Sequence, residues 1–303
     1  MEEKALRLSA VFLMILTAVS FVLLPKLPAL HTWEVEAREE RIAEEEFAQS
    51  QVTMQNLKIK EQNEAAGAKG ELSIRLPEGV TGDQIAVSSD YVTQTIRVEI
   101  PQADRTYFDS YPVLGNSDYI DGLSYTRQGE TGVIEVTTNR VYELQTEYDT
   151  QNFYFNFLTP HEVYDKVVVI DAGHGGRAVG ANKQGINEKD IDLAIVLKLK
   201  EIFDNSDQNI GVYYTRTDDS NPTFDQRVQL ANKSDADLFI SIHNNSTRSG
   251  RMSGTSGTQV MYDETSEASR QFAQICLEEV TGRIGSRDKG LVEGDSIYII
   301  RTS

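Results

Sequence analysis

Two of the four histidines in this 303-residue chain, His174 and His243, each stand just beyond a short apolar run. VVVID at 167–171 leads through Ala172 and Gly173 into His174, and DLFISI leads directly into His243. Continuous apolar runs of that kind are expected of strands buried on both faces. In open α/β sheets, ligand sites gather beyond the carboxyl ends of such strands. Glu188 lies 14 residues after His174, in the first turn of a helix predicted to start near Asn187. A helix that follows a strand begins on the same rim, so Glu188 is expected to face both histidines. Two neutral imidazoles and one carboxylate, with a fourth position left open, match the ligand set of a catalytic zinc site. Simpler roles stay open for each residue at this point. Glu188 can complement the helix N-terminus, worth roughly 0.3–1 kcal/mol. His174 can be a turn residue between Gly173 and Gly175, and His243 can hydrogen-bond Ser241 or Asn245.

The elements that must carry these residues follow from the hydrophobic period. After Lys166, IGVYYT, DLFISI, GTQVMY and SIYII read as strands. Between them, apolar positions Ile191, Ile195, Leu199, Ile202 and Phe203 recur at helical spacing, and FDQRVQLANKS and SEASRQFAQICLEEVTG also read as helices. The alternation predicts an α/β domain over 163–303, with a mostly parallel sheet flanked by helices. The one cysteine, Cys276, excludes an internal disulfide and is expected to pack as a small hydrophobe.

Residues 71–162 are patterned differently. ELSIRL, QIAVSS, TQTIRVEI, GVIEVTT and NFYFNFL are short alternating runs separated by turn signals, which predicts a small all-β domain. No cluster of His, Cys or paired carboxylates stands out there, so chemistry is not expected of it. Tyr107, Phe108 and Tyr111 are expected to pack on the sheet rather than to form a glycan-stacking surface.

The N-terminal region has no catalytic features. Leu8 to Pro25 is a run of 18 residues without Asp, Glu, Lys or Arg. At about 1.5 Å per residue it spans about 27 Å, close to the bilayer hydrocarbon core. Residues 1–30 are therefore expected to be a signal anchor, or a signal peptide cleaved after Ser20, with the rest of the chain exported. Residues 31–70 follow as an acidic helical stalk or linker, with seven Glu between Glu34 and Glu46. The formal net charge of −18, from 47 acidic and 29 basic residues, argues against a nucleic-acid partner.

Several motifs occur together and in order: VVVIDAGHGG, GINEKDIDLA, VYYTRTDD, QRVQLANKSDADLFISIHNN, GTQVMY and DKGLVEGDSIYIIR. In combination they resemble the zinc-dependent N-acetylmuramoyl-L-alanine amidases of the amidase-3 family, over about 166–303. The β-rich segment resembles, by its position and β character, the AMIN-type modules that precede cell-wall amidases. The amidase resemblance implies that His174, Glu188 and His243 bind Zn2+. It also implies that Asp171, Gly173, Gly175 and Gly176 shape the loop presenting His174, and that Arg216, Arg227 and Asn232 are framework residues. The implied activity is hydrolysis of the amide between N-acetylmuramic acid and L-alanine in peptidoglycan, outside the membrane. The family's catalytic Glu follows its last strand in a P-x-x-L-x-E-x-G-F context, which no residue here matches. That Glu is expected beyond Ser303, and Glu264, Glu278, Glu279 and Glu293 are not assigned its role. The alternative expectation is a catalytically incomplete amidase-fold protein that binds the wall or regulates. Serine chemistry lacks a G-x-S-x-G motif, and the glycines around His174 do not fit a phosphate loop.

Overall fold

The structure is a computed structural model; it describes residues 27–51, 53–61, 69–244, 254 and 256–303. The apolar run Leu8–Pro25 lies outside the described residues. Among those described, no helix is long and apolar enough to cross a membrane. The chain divides into two compact units: Ala43–Arg251 with Ser303, and Met1–Ile42 with Met252–Thr302.

The larger unit opens with the end of helix α1 (Leu27–Ser50), which occupies the acidic stretch expected as a stalk or linker. Ala43 on this helix is buried. Ten strands then build the β module: β1 (Gln55–Asn56), β2 (Lys60–Glu61), β3 (Leu72–Arg75), β4 (Ala86–Asp90), β5 (Thr95–Pro101), β6 (Leu114–Gly115), β7 (Ile120–Gln128), β8 (Thr131–Thr138), β9 (Glu143–Tyr148) and β10 (Asn152–Leu158). They form two five-stranded sheets, ordered β1-β7-β8-β5-β4 and β2-β6-β3-β10-β9. Strict alternation along β5 and β10 turns Ile96, Val98, Ile100, Phe153, Phe155 and Phe157 into one shared apolar core. The strands β7 and β9 carry no strong sequence signal. Gly122 and polar neighbours interrupt the first, and the second is mostly exposed. Helix α2 (Arg105–Ser110) buries Phe108, while Tyr107 donates its hydroxyl to the Arg75 carbonyl at 2.9 Å. The Arg75 guanidinium lies 4.8 Å from the centre of the Tyr111 ring.

After the short helix α3 (Pro160–Val163) the architecture changes to α/β. Strand β11 (Lys166–Ala172) lies between β14 (Ile210–Tyr214) and β15 (Leu238–Ile242), parallel to both. A small hairpin, β12 (Asn182–Lys183) with β13 (Ile186–Asn187), precedes helix α4 (Glu188–Asp204). Helix α5 (Phe224–Lys233) connects β14 to β15. The parallel arrangement expected for this domain holds for these strands, but antiparallel pairing dominates among the described residues because of the β module.

The face of α4 differs from the expectation. Its inward stripe is Glu188, Asp192, Val196, Leu199 and Phe203, whereas Ile191, Ile195 and Ile202 are exposed. Two inward positions are carboxylates, and a search for apolar periodicity counts them as solvent-facing.

The β module and the α/β region share a small core. Val141, Tyr91 and Val92 from the module pack with Val167, Val169, Tyr213, Leu230 and Ala231. Within it, Glu143 accepts hydroxyl hydrogen bonds from Tyr213 at 2.6 Å and Tyr91 at 3.0 Å.

The smaller unit contains the parallel pair β16 (Thr258–Tyr262) and β17 (Asp288–Glu293), with helix α6 (Glu267–Ile284) between them in sequence. Cys276 on α6 is half-buried, and burial raises its thiol pKa. The segment SIYII, expected as a strand, instead begins helix α7 (Tyr298–Thr302). The Tyr298 N–H at its start donates to Glu36 Oε1 at 3.2 Å, giving one of the N-terminal N–H groups of α7 a partner from α1.

Candidate metal centre

Register brings the two histidines together. Ala172 at the end of β11 pairs with Ile242 at the end of β15, so His174 and His243 leave adjacent strands at the same height. The hairpin that precedes α4 returns the chain to that rim and delivers Glu188 at the first turn of the helix. The outcome is a triangle of possible ligand atoms. His174 Nε2 lies 3.2 Å from His243 Nδ1, and each nitrogen lies 3.3 Å from Glu188 Oε1.

Hydrogen bonding alone accounts poorly for this triangle. A ring nitrogen carries one in-plane proton or one in-plane lone pair, so it cannot point fully at two partners at once. Ligands held tetrahedrally at the usual zinc distances of about 2.0–2.1 Å sit about 3.3 Å apart. The three edges match that spacing, and the donor set is two imidazoles and one carboxylate. The residues therefore fit a zinc ion. The nearest ligand atoms of His174, Glu188, Asp192 and His243 all lie within 4.8 Å of one another, the one such group among the described residues. His174 and Glu188 are almost enclosed, while the His243 side chain is 40% exposed, so the site opens to solvent on the His243 side.

The loop after β11 needs unusual backbone and gets strong support. His174 itself has φ of 59°, a left-handed conformation that is costly for a residue with a β-carbon. Gly173 passes so close to the His243 ring that any β-carbon there would overlap the imidazole. Gly175, at φ of 139°, is in a region open essentially to glycine, and a side chain there would meet the Ser220 carbonyl. The Gly176 N–H donates to the Asp219 carbonyl at 2.9 Å.

Two buried arginines hold the carbonyls of this loop. Arg227 donates to Ala172 O at 2.7 Å and to His174 O at 2.8 Å. Arg216 donates to Ala172 O at 3.0 Å, Gly173 O at 2.7 Å and Lys189 O at 2.9 Å. Asp171 is fully buried and neutralises Arg227 at 2.5 Å, while it accepts Thr215 and Ser241 hydroxyls at 2.6 Å each. Burial pushes its pKa up, but Arg227 and the two hydroxyls outweigh that and hold it below the ordinary carboxylate value. Ser241, one of the two simpler partners considered for His243, donates its hydroxyl to Asp171 instead; the other, Asn245, lies outside the described residues.

Glu188 is fixed by backbone donors on both oxygens. Oε2 accepts the Ala181 N–H at 2.8 Å, and Oε1 accepts the Asn244 N–H at 2.7 Å. Burial opposes its ionisation, yet hydrogen bonds from both histidines and from Ala181 hold its pKa well below the ordinary value.

The sequence reading missed Asp192 and Asn244. Asp192 is one helical turn after Glu188, where spacing of four residues places side chains on one face. Asn244 directly follows His243, and it donates its side-chain amide to Asp192 Oδ1 at 2.7 Å. Burial raises the Asp192 pKa to about 6. The reading also gave no role to Glu46. Its carboxylate accepts the Arg177 N–H at 2.9 Å, Arg177 Nε at 3.0 Å and Asn221 Nδ2 at 3.0 Å, just beyond the His174 turn.

Residues 168–303 match the Amidase_3 family model, described as N-acetylmuramoyl-L-alanine amidase. Over 144 residues the chain is 38% identical to the uncharacterized protein YqiI of Bacillus subtilis (strain 168), covering 46% of this chain and 65% of that protein. It is 33% identical over 123 residues to the N-acetylmuramoyl-L-alanine amidase CwlM of Bacillus licheniformis, covering 41% of this chain and 47% of the relative. The chain thus spans about half to two thirds of the length of these curated relatives. Among solved structures, the catalytic domain of CwlV, an N-acetylmuramoyl-L-alanine amidase from Bacillus (Paenibacillus) polymyxa var. colistinus, is similar at 35% identity. That match covers 46% of this chain and 74% of the other, with a TM-score of 0.42. Residues 168–303, a little under half of the chain, thus form an Amidase_3 segment, as the motifs led us to expect.

Proposed function

We propose that the protein is a zinc-dependent peptidoglycan amidase that cleaves the bond between N-acetylmuramic acid and L-alanine. The observation that carries this reading is the triangle of His174 Nε2, Glu188 Oε1 and His243 Nδ1, with edges of 3.2–3.3 Å, inside an amidase-3 domain. His174, Glu188 and His243 would hold the ion. Bound there, zinc supplies Lewis-acid polarisation of an amide carbonyl and acidifies water toward a pKa of about 7. The chain's own residues do the positioning. Asp171, Arg216 and Arg227 lock the carbonyls of the His174 loop, and the Ala181 and Asn244 N–H groups orient the Glu188 carboxylate. The exposed edge of His243 leaves an approach for an extended substrate. By this reading the zinc domain acts outside the membrane, with Leu8–Pro25 as an anchor or a cleaved signal. The β module, placed before the zinc domain as AMIN-type modules are, faces the wall with it.

Two experiments test this. Metal analysis of the purified protein is expected to find about one zinc per chain, with most of it lost in His243→Ala, which removes one of three ligands. Mass spectrometry of digested cell wall is expected to reveal new L-alanine amino termini; cleavage at another amide would overturn the substrate assignment. For the anchor, the protein is expected to stay with membranes through a carbonate wash. A soluble form starting at Phe21 would show cleavage instead.

A further inference from the structure

The inward face of α4 carries a second carboxylate that the zinc triangle does not use. Asp192 is completely buried, and it sits one turn beyond Glu188 on the same stripe. Its Oδ1 accepts the Asn244 side-chain amide at 2.7 Å, while Oδ2 has no hydrogen-bond partner. Asn244 in turn donates its backbone N–H to Glu188 Oε1 at 2.7 Å. That is the same oxygen that faces His174 Nε2 and His243 Nδ1. The contacts therefore close a ring that runs from Glu188 along one helical turn to Asp192, across to the Asn244 amide, and back through the Asn244 N–H to Glu188. His243 is the residue next to Asn244, so the same ring pins the strand end from which His243 projects. Keeping a carboxylate fully buried costs free energy unless it is bonded. A leucine at 192 would continue the apolar stripe of Val196, Leu199 and Phe203, so packing alone does not call for an acid there.

We propose that Asp192 is a positioning residue for the metal centre, acting through Asn244 to fix both the Glu188 carboxylate and the His243 strand end. The inference rests on the zinc reading above. In it, Asp192 touches neither ion nor substrate; it holds the side chain of the residue whose backbone holds a ligand. Outer partners of this kind, which orient metal ligands, commonly change metal affinity by about 10–100-fold when removed.

The test is zinc affinity of the full chain, measured by chelator competition with zinc alone, alongside thermal unfolding of the zinc-free forms. Asp192→Ala and Asn244→Ala are each expected to weaken zinc binding by about 10–100-fold. The double variant is expected to be no more than about threefold worse than the weaker single, because both remove one linked contact. Asp192→Asn retains an acceptor for the Asn244 amide and is expected to stay within about threefold of the unchanged chain. A purely structural role would instead lower the zinc-free melting temperature and leave affinity intact. Should Asp192→Ala fail to fold, Asn244→Asp keeps the shape but sets two acceptors against each other. It is expected to lose affinity, and adding Asp192→Asn is expected to restore it by reversing donor and acceptor. Asp192→Ala or Asn244→Asp binding zinc as tightly as the unchanged chain overturns the inference alone. Failure of the unchanged chain to bind zinc overturns the zinc reading, and the inference with it.

Discussion

The β module and the α/β region occupy one compact unit yet are stabilised by different means. The module is held by a continuous apolar interior, in which Leu72, Val98, Ile100, Val113 and Phe155 are almost fully buried. In the α/β region the largest fully buried side chain is Arg227, and Asp171, Asp192, Glu188, Thr215, Arg216 and Ser234 are buried as well. The contrast follows from what each must position. Alternating strands pack against each other with little geometric demand beyond register. A rim that aims three ligand atoms at one point needs directional bonds on a loop whose backbone is not regular. Those bonds are supplied by groups that are costly to bury unless every one is paired. Precision at the candidate metal centre therefore brings sensitivity that the module lacks.

The largest effect expected from this contrast is at Asp171. Asp171→Ala leaves the Arg227 guanidinium buried without its counter-charge, and is expected to cost about 3–5 kcal/mol in denaturant unfolding. A loss below about 1 kcal/mol would show that the ion pair is not what secures the loop. The pH dependence follows the same residue. The folded-state pKa of Asp171 is lowered, so its contribution is fully present above the ordinary carboxylate pKa of about 4. It is lost as pH falls through the folded value. Hydrogen exchange on acidification is thus expected to report opening around β11 and β15 before opening in the β module.

An apolar truncation in the module sharpens the comparison from the other side. Leu72→Ala is expected to cost about 2–5 kcal/mol through the cavity it leaves. That cost should be nearly independent of pH, since neither leucine nor alanine titrates. A pH-dependent cost would mean that the module's core is not purely apolar in effect.

The smallest effect is expected at the joint. Tyr213→Phe removes the 2.6 Å hydrogen bond to Glu143 and is expected to cost about 1 kcal/mol. Its informative readout is cooperativity. If the shared core couples the two regions, the variant is expected to separate their unfolding transitions in calorimetry, while the unchanged chain unfolds through one. Two transitions already present in the unchanged chain would show that the regions are coupled weakly.

Much of this organisation was legible before the structure. The five strongest alternating runs of the module, the strands β11 and β15, and the meeting of His174, Glu188 and His243 on one rim follow from local pattern and from the rule that ligands gather at strand carboxyl ends. Their reading as metal ligands came from the motif resemblance. Strand β11 is buried as its apolar run predicts, whereas β15 is only half-buried along its length. Several features of the fold were also misread or missed for identifiable reasons. The inward face of α4 was assigned one step around the helix, because Glu188 and Asp192 look polar and so look exposed. SIYII is as apolar and β-branched as a strand, but it folds as the start of α7. The strand β9 has no apolar face to announce it.

The sequence alone determined which side chains are available as candidate metal ligands and roughly where along the chain each would be presented. Hydrophobic period sets strand and helix, and strand ends set the rim. Only the tertiary structure decided that three particular atoms stand 3.2–3.3 Å apart. It alone showed that Arg216 and Arg227 hold the loop carbonyls, and that Asp192 and Asn244 close a ring around Glu188. These are contacts between residues up to 69 positions apart in the chain. No local pattern encodes such pairings; they arise when β11 and β15 pair in parallel register and α4 packs its carboxylate stripe against them.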